Sequence, residues 1–109
     1  IGLGASSATC IANYTALIAD LAARGFNRFV HLTALPTTAE SGGQTTIRNA
    51  FNAHLASLAS ATHKVVALHA DASLDDPADT GFYNADGLHL NDAGKTVAGH
   101  LVATALQTF

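Results

Sequence analysis

RFVHLTAL, at residues 28–35, is the stretch of sequence that decides the fold. Its residues are bulky and favour β-structure, and Pro36 ends it. Such a nearly continuous apolar run is typical of a strand that is covered on both faces in a parallel sheet. A second stretch of the same character, KVVALH at residues 64–69, predicts a further strand of this sheet.

Three helices are predicted around these strands. Their apolar residues recur at helical spacing, over residues 10–24, 45–61 and 92–107. Gly25 is a natural stop for the first helix, and Ser7 or Thr9 is its expected cap. Asn91 is the expected cap of the third helix.

The order of these elements predicts an α/β fold. A strand end at residues 1–4 is followed by helix, strand, helix, strand, long loop and helix. Such alternation indicates a parallel sheet with right-handed crossovers and helices on its faces. Ligands of such sheets bind at the carboxyl ends of the strands, where the loops at residues 4–9, 36–43 and 70–90 lie.

The composition of the 109 residues fits one domain and excludes some classes of partner. The net charge is −3 and the five basic residues do not cluster, which argues against nucleic acid or an anionic membrane. No apolar run approaches the roughly 18 residues of a membrane span. Hydrophobic residues make up 49% of the chain, which suggests that some apolar surface meets a partner or a further segment. Cys10 is the only cysteine, so it forms no internal disulfide and no metal site.

Asp86 and His89 are the candidate catalytic residues, in the block DGLHLNDAG at residues 86–94. A neutral histidine is the natural general base near pH 7, and it works best when a carboxylate fixes one ring nitrogen. The spacing across Gly87 lets the carboxylate of Asp86 reach Nδ1 of His89, which leaves the other nitrogen for a nucleophile. The spacing alone is also consistent with a plain turn residue and a loop histidine.

The same block resembles the last conserved block of the SGNH (GDSL-type) serine hydrolases. In that family Asp-x-x-His is commonly followed by Pro or Leu, Asn and a glycine. The stretch NYTALI at residues 13–18, Gly25, and a strand closed by Leu35 and Pro36 resemble the middle of the family. The resemblance covers nearly the whole chain, and the final block is its most specific part.

The resemblance implies a three-layer α/β/α domain, flavodoxin-like in architecture, that hydrolyses esters without a metal or a cofactor. A serine would attack the acyl carbonyl, and His89 would take its proton and later activate water. Asp86 would orient His89 and stabilise its charged form. The substrate would be a carboxylic ester, with O-acetyl groups on carbohydrate among the candidates.

The sequence departs from the family at the nucleophile, because it contains no Gly-Asp-Ser block. Its opening residues fall where the family's Gly-x-Asn-Asp block would be, with Gly4 at the glycine and Ser6 at the oxyanion asparagine. A serine hydroxyl is shorter than a carboxamide, and losing one oxyanion donor costs about 10²–10³ in rate. The chain also begins without methionine. We therefore expect the C-terminal part of such a domain, lacking its N-terminal strands, with the nucleophile on a preceding segment or a separate chain.

A serine of this chain is a weaker candidate for the nucleophile. Ser6, Ser7 and Ser41 are expected in loops at the site end of the sheet, but nothing marks a strained nucleophile turn. The pattern Gly2-x-Gly4-x-x-Ser7 faintly suggests a dinucleotide loop, but it lacks the third glycine.

The remaining polar residues indicate no metal site. His54, His63 and His69 are too scattered in sequence for a metal site. His31 and His69 lie within strand patterns, where we expect satisfied interior or rim histidines. The long third loop is acidic, and a solvated loop is the simplest interpretation of Asp71, Asp75, Asp76 and Asp79.

Two alternatives to an esterase stay open. The first is a non-catalytic binding or assembly module of the same fold, for instance in a larger surface or virion protein, which the missing nucleophile favours. The second is an unrelated flavodoxin-like or Rossmann-like domain, which would have to bind a flavin or a nicotinamide nucleotide.

Overall fold

The computed structural model of the protein describes residues 5–109, so the strand end predicted at residues 1–4 lies outside the described residues. Within residues 5–109 the chain is an α/β domain with three α-helices and a two-stranded parallel sheet. The elements are α1 (Ser7–Ala23), β1 (Phe29–Leu32), α2 (Gly42–Ser57), β2 (His63–Val66), a 3₁₀ helix (Leu68–Ala70) and α3 (Asp92–Leu106).

The two predicted strands pair in parallel, which confirms the predicted type of sheet. The register pairs Phe29 with His63 and continues for four residues. β1 ends before the predicted Leu35 because the buried side chain of Asn52 takes both backbone groups of Ala34. Asn52 Oδ1 accepts from the Ala34 N–H at 2.8 Å, and Asn52 Nδ2 donates to the Ala34 carbonyl at 2.9 Å.

The second predicted strand is wrong in its last part, where His69 lies in the 3₁₀ helix. The buried hydroxyl of Thr33 directs this change. It donates to the Val66 carbonyl at 3.4 Å, and it accepts from the His69 backbone N–H at 3.3 Å. The same hydroxyl lies 2.8 Å from Nδ1 of the His69 ring, so His69 is a satisfied histidine at the rim of the sheet.

Side-chain caps set the starts of α1 and α3. Asn91 caps α3 as predicted, since its Oδ1 accepts from the Gly94 N–H at 3.0 Å. For α1 the predicted caps are wrong, because Ser6 rather than Ser7 or Thr9 accepts the first amide. The helix therefore begins three residues earlier than predicted. Its C-terminal stop agrees with the prediction, and Gly25 has a positive φ of 97°.

Because of a capping box, α2 begins at Gly42, three residues earlier than the predicted residue 45. Ser41 Oγ accepts from the Gln44 N–H at 3.2 Å, and Gln44 Oε1 accepts from the Ser41 N–H at 2.8 Å. This reciprocal cap offsets the poor helix propensity of the two glycines that follow Ser41. The helix ends at Ser57, and Ser60, predicted on α2, lies in the turn before β2.

The buried core lies between the sheet and α3. Its centre consists of Val66, Leu68 and Leu74, with partly buried side chains of α3 and of β1 packed against it. The loop between the 3₁₀ helix and α3 is less polar than predicted, because Leu74 and Tyr83 are fully buried. The Tyr83 hydroxyl donates to the Leu74 carbonyl at 2.7 Å, which ties the two ends of this loop together.

The helices differ in what they pack against. α3 packs on both strands, and α1 packs on α2. Within residues 5–109, β1 pairs only with β2, so its other edge is unpaired, and Leu32 on β1 is 45% exposed. In this part of the chain, the helices are all too short or too polar to cross a membrane.

Candidate functional site

A short antiparallel turn presents Asp86 and His89. Tyr83 and Leu90 form an antiparallel bridge at its base. The Asn84 N–H donates to the His89 carbonyl at 2.8 Å. Because Tyr83 is fully buried, the base of the turn is anchored in the core, while both candidate catalytic side chains are exposed at its tip.

Gly87 allows the turn to pack against the loop that follows β1. Its φ is +62°, in the left-handed region that favours glycine. A Cβ at this position would lie 2.1 Å from Thr38 Oγ1. The Gly87 carbonyl accepts from the Thr38 N–H at 3.0 Å. The glycine between the two candidate residues is therefore required both by conformation and by space.

The side chains of Asp86 and His89 are in direct contact, as the spacing predicts. Asp86 Oδ2 lies 2.6 Å from His89 Nδ1. Asp86 Oδ1 accepts from the backbone N–H groups of Leu88 at 2.9 Å and of His89 at 3.0 Å. Hydrogen bonds from the His89 ring, and then from these two amides, lower the pKa of Asp86 from 3.8 to about 2.

The contact fixes which ring nitrogen of His89 is available as a base. Since Asp86 is ionised at neutral pH, Nδ1 carries the hydrogen and Nε2 of the neutral ring carries the free lone pair. Nε2 forms no hydrogen bond with any group of residues 5–109. The side chains are 69% exposed for His89 and 46% for Asp86, so the free nitrogen is accessible.

A cavity of about 450 Å³ is lined in part by Leu88, which lies between Asp86 and His89 in the sequence. This volume is in the range of about 300–1,000 Å³ that is usual for small-molecule sites. The cavity lies at the carboxyl end of β1, where ligands of parallel sheets bind. It is lined by Ala34, Leu35, Thr37, Ala39, Glu40, Gln44, Arg48 and Leu88.

An ion pair forms the polar wall of this cavity. Arg48 donates to Glu40 through Nε at 2.9 Å and through Nη2 at 3.0 Å, and both side chains are nearly buried. The hydrogen bond from Arg48 lowers the pKa of Glu40, against the opposing effect of burial, and Thr45 adds a second hydrogen bond. Because the two charges are paired, this wall of the cavity has no net charge.

Of the two predicted oxyanion residues, the structure describes only Ser6. Ser6 is the cap of α1, and its Oγ accepts from the Thr9 N–H at 3.1 Å. Its oxyanion role stays untested, and Gly4 lies outside the described residues. Ser41 lies in the loop as predicted, at the cap of α2, whereas the loop placement of Ser7 is wrong because Ser7 is the first residue of α1. Within residues 5–109, serine hydroxyls form no hydrogen bond with His89.

The acidic loop forms local turns. Its carboxylates accept from backbone N–H groups two residues further on, as seen at Asp71, Asp76 and Asp79. Residues 5–109 contain no group of three or more His, Cys, Asp and Glu side chains placed to hold a metal ion.

The sequence did not predict two of these features. The Glu40–Arg48 pair joins residues eight apart across a helix start, and only the capping box at Ser41 and Gln44 hints at that geometry. A chain of hydrogen bonds also joins Tyr14, His31 and His63, which come from three different elements.

The fold and the turn define an α/β domain that presents an exposed histidine oriented by a carboxylate. No protein-family model, curated protein or solved structure matches the chain. The resemblance to the SGNH hydrolases therefore rests on the sequence alone, chiefly on the block at residues 86–94, and stays a prediction.

Proposed function

We propose that this chain is part of a serine esterase of the SGNH type and supplies the Asp and His of its catalytic triad. The observation that carries the proposal is the 2.6 Å contact between Asp86 Oδ2 and His89 Nδ1, which leaves Nε2 accessible. The same turn stands at the carboxyl end of a parallel sheet, beside a cavity of suitable size.

In this mechanism His89 transfers protons and Asp86 stabilises the charge that His89 gains. Nε2 takes the proton of a serine hydroxyl as its oxygen attacks the acyl carbonyl, and then gives it to the leaving alcohol. A water then loses its proton to Nε2 and attacks the acyl-enzyme, which releases the carboxylic acid and restores the serine. Asp86 remains ionised throughout, and its pKa of about 2 supports that role.

The serine comes, in this proposal, from a complementary segment or chain that adds strands to the sheet. The unpaired edge of β1 supports this idea, because a strand edge offers backbone groups to another strand. The added strands would complete the three-layer α/β/α domain. Parallel sheets are normally covered on both faces and have more than two strands.

The cavity beside Leu88 is proposed to hold the substrate. Its wall combines apolar side chains with the paired charges of Glu40 and Arg48, so it favours an uncharged ester over an anionic one. A neutral, hydroxylated group such as an O-acetylated sugar fits this chemistry, since it brings hydroxyl groups to a polar wall without adding charge.

The central test treats the protein, purified with whatever polypeptides accompany it, with a fluorophosphonate probe, and it locates the label by mass spectrometry. We expect a labelled serine that lies outside residues 1–109. Asp86→Asn is expected to lower labelling and ester turnover by about 10⁴-fold, the usual effect of losing the orienting carboxylate. No label on any polypeptide would count decisively against the proposal.

The matched control for the histidine uses His100, which is exposed on α3 and forms no side-chain hydrogen bond with the turn among residues 5–109. His89→Ala is expected to abolish labelling and turnover, whereas His100→Ala leaves both unchanged. Unchanged turnover in His89→Ala would show that His89 does not act as the base.

A non-catalytic module of the same fold is the second candidate function. It is favoured by the absence of a serine hydroxyl bonded to His89 within residues 5–109. In that case the fluorophosphonate probe labels nothing, and the cavity and the unpaired edge of β1 serve binding or assembly instead.

A further inference from the structure

A hydrogen-bonded chain of three side chains joins α1 to the sheet. Tyr14 Oη on α1 lies 2.6 Å from His31 Nδ1 on β1, and His31 Nε2 lies 2.8 Å from His63 Nδ1 on β2. His31 is 1% exposed. The ring of Phe29 covers both imidazoles, with centroid distances of 4.9 Å to His63 and 6.2 Å to His31.

Helix α1 depends on these hydrogen bonds because the helix is otherwise packed only shallowly against its neighbours. None of its residues is fully buried. Within residues 5–109, the Tyr14–His31 contact is the side-chain hydrogen bond that joins α1 to another element. Tyr14 also makes an edge-to-face contact with Phe51 of α2, at a centroid distance of 5.4 Å. The docking of α1 therefore centres on one tyrosine.

The hydrogen bonds between Tyr14, His31 and His63 can form when both imidazoles are neutral, but not when both are charged. When both rings are neutral, each of the two contacts contains one hydrogen and one lone pair. A single added proton still leaves His63 Nδ1 or His31 Nε2 as an acceptor. A second proton puts an N–H on both nitrogens of the 2.8 Å contact, which must then break.

The other titratable groups around His31 increase its sensitivity to acid. His54 of α2 lies near, and its buried Nε2 has no hydrogen-bond partner within residues 5–109. His63 faces it from β2, and Tyr14 faces it from α1. The ammonium group of Lys64 lies on the opposite face of the sheet from His63, over the ring of Phe109. In the described part of the chain, the histidine–carboxylate ion pair is the one at His89, so the cluster around His31 has no counter-ion.

We propose that Tyr14, His31 and His63, with His54 beside them, form an acid-sensitive latch that releases α1 from the sheet when the histidines become charged. The released state exposes the apolar sides of α1 and α2 around Leu17 and Phe51, which line one groove in the closed state. The latch is independent of the proposed esterase function.

The direction of the pH effect follows from burial. Burial, and then the charges of His63 and His54, lower the pKa of His31 below its ordinary value of 6.5. A released His31 therefore binds a proton more readily than a latched one. The latch is fully closed above pH 6.5 and loses stability as the pH falls from 6.5 through the lowered pKa.

Hydrogen exchange of the backbone amides, measured by mass spectrometry, tests the latch. Protection factors of α1 and α3 are compared at about pH 7.5 and about pH 5, on either side of the ordinary histidine pKa. We expect the protection of α1 to fall, by at most about tenfold per pH unit for each proton bound. Protection of α3 should change little, because its packing contains no buried histidine. Equal losses in α1 and α3, or no loss in α1, would overturn the proposal.

Two variants separate the latch from general acid unfolding. His63→Gln keeps a hydrogen-bonding partner for His31 but removes one site of protonation, so the fall in α1 protection should shrink. His100→Gln, on the exposed face of α3, should keep the full fall. A full fall in His63→Gln contradicts the latch. Should His63→Gln not fold, Tyr14→Phe provides the second arm, and it is expected to lower α1 protection at about pH 7.5 already.

Discussion

Two histidine contacts of this molecule are built in opposite ways. His89 is exposed and pairs with the carboxylate of Asp86, while His31 is buried and pairs with the neutral Tyr14 and His63. At His89 the backbone of a turn does the positioning, through Gly87 and the bridge at its base. At His31 only side chains from three elements hold the ring.

The difference determines what each imidazole can do. The carboxylate of Asp86 accepts from Nδ1 whether the ring is neutral or charged, so His89 can accept a proton at Nε2 without losing its position. Burial and the neighbouring histidines favour the uncharged ring at His31, and charging both His31 and His63 breaks the contact between them. The first arrangement suits a general base, and the second suits a switch.

The largest effect on stability is expected from a substitution that disrupts the packing of α3 against the turn that carries His89. In Gly94→Ala, the new Cβ would lie 2.1 Å from the Phe82 carbonyl oxygen and 3.0 Å from Leu90 Cδ2. The start of α3 must then move away from the turn, at a cost of about 3 kcal/mol in the free energy of unfolding. Urea denaturation measures this cost.

The control for this change is Gly99→Ala, further along α3, where a Cβ meets nothing within 4 Å. It is expected to stabilise the protein by about 0.5–1 kcal/mol, the usual gain from alanine inside a helix. If Gly94→Ala gains stability as well, the close packing of α3 on the turn is wrong.

A smaller effect is expected from removing one tyrosine hydroxyl beside His31 or one at the base of the turn that carries His89. Tyr14→Phe and Tyr83→Phe each lose one hydrogen bond, to His31 and to the Leu74 carbonyl respectively. Each is expected to cost about 1 kcal/mol at neutral pH. Thermal unfolding at neutral pH and near pH 5 then separates them, because only Tyr14→Phe should reduce the loss of stability in acid. Equal pH dependence in both variants would remove the distinction between the sites.

Acid should weaken the two sites in different ranges of pH. The stability that depends on His31 falls below pH 6.5. The ionised Asp86 contributes stability above pH 3.8, and this is lost as the pH falls from 3.8 towards about 2, since the unfolded carboxyl binds a proton first. Asp86→Asn should reduce only the lower range, to which Glu40 with its lowered pKa also contributes, whereas Asp75→Asn, at an exposed loop carboxylate, should leave both. Urea unfolding over a series of pH values measures the two ranges, and a single range common to all variants would contradict the assignment.

The sequence contained most of what positions His89 and little of what positions His31. The turn is local: Asp86, Gly87, His89 and the cap Asn91 lie within six residues, and the preferences of each type already specify the geometry. The hydrophobic pattern of the sequence likewise predicts the parallel strands and the three helices.

The contacts of His31 are not local, and a sequence pattern cannot predict them. Tyr14 and His63 stand 17 and 32 residues away; Tyr14 reaches His31 from α1, and His63 reaches it across the pairing of β1 with β2. The errors at element ends have a similar origin. Asn52 ends β1 from a distance of 18 residues, and Thr33 draws His69 into a 3₁₀ helix from a distance of 36.

The smallest expected effect sharpens the description of the exposed site. In His89→Ala, Asp86 loses its strongest hydrogen bond but keeps the two backbone N–H donors at residues 88 and 89. The pKa of Asp86 should therefore rise from about 2 only part of the way towards 3.8, and carboxyl ¹³C chemical shifts would measure it. His100→Ala should leave the pKa of Asp86 in place. A full return to 3.8 in His89→Ala would mean that the turn itself depends on the His89 ring, and a pKa that stays at about 2 would mean that the backbone alone holds the carboxylate ionised.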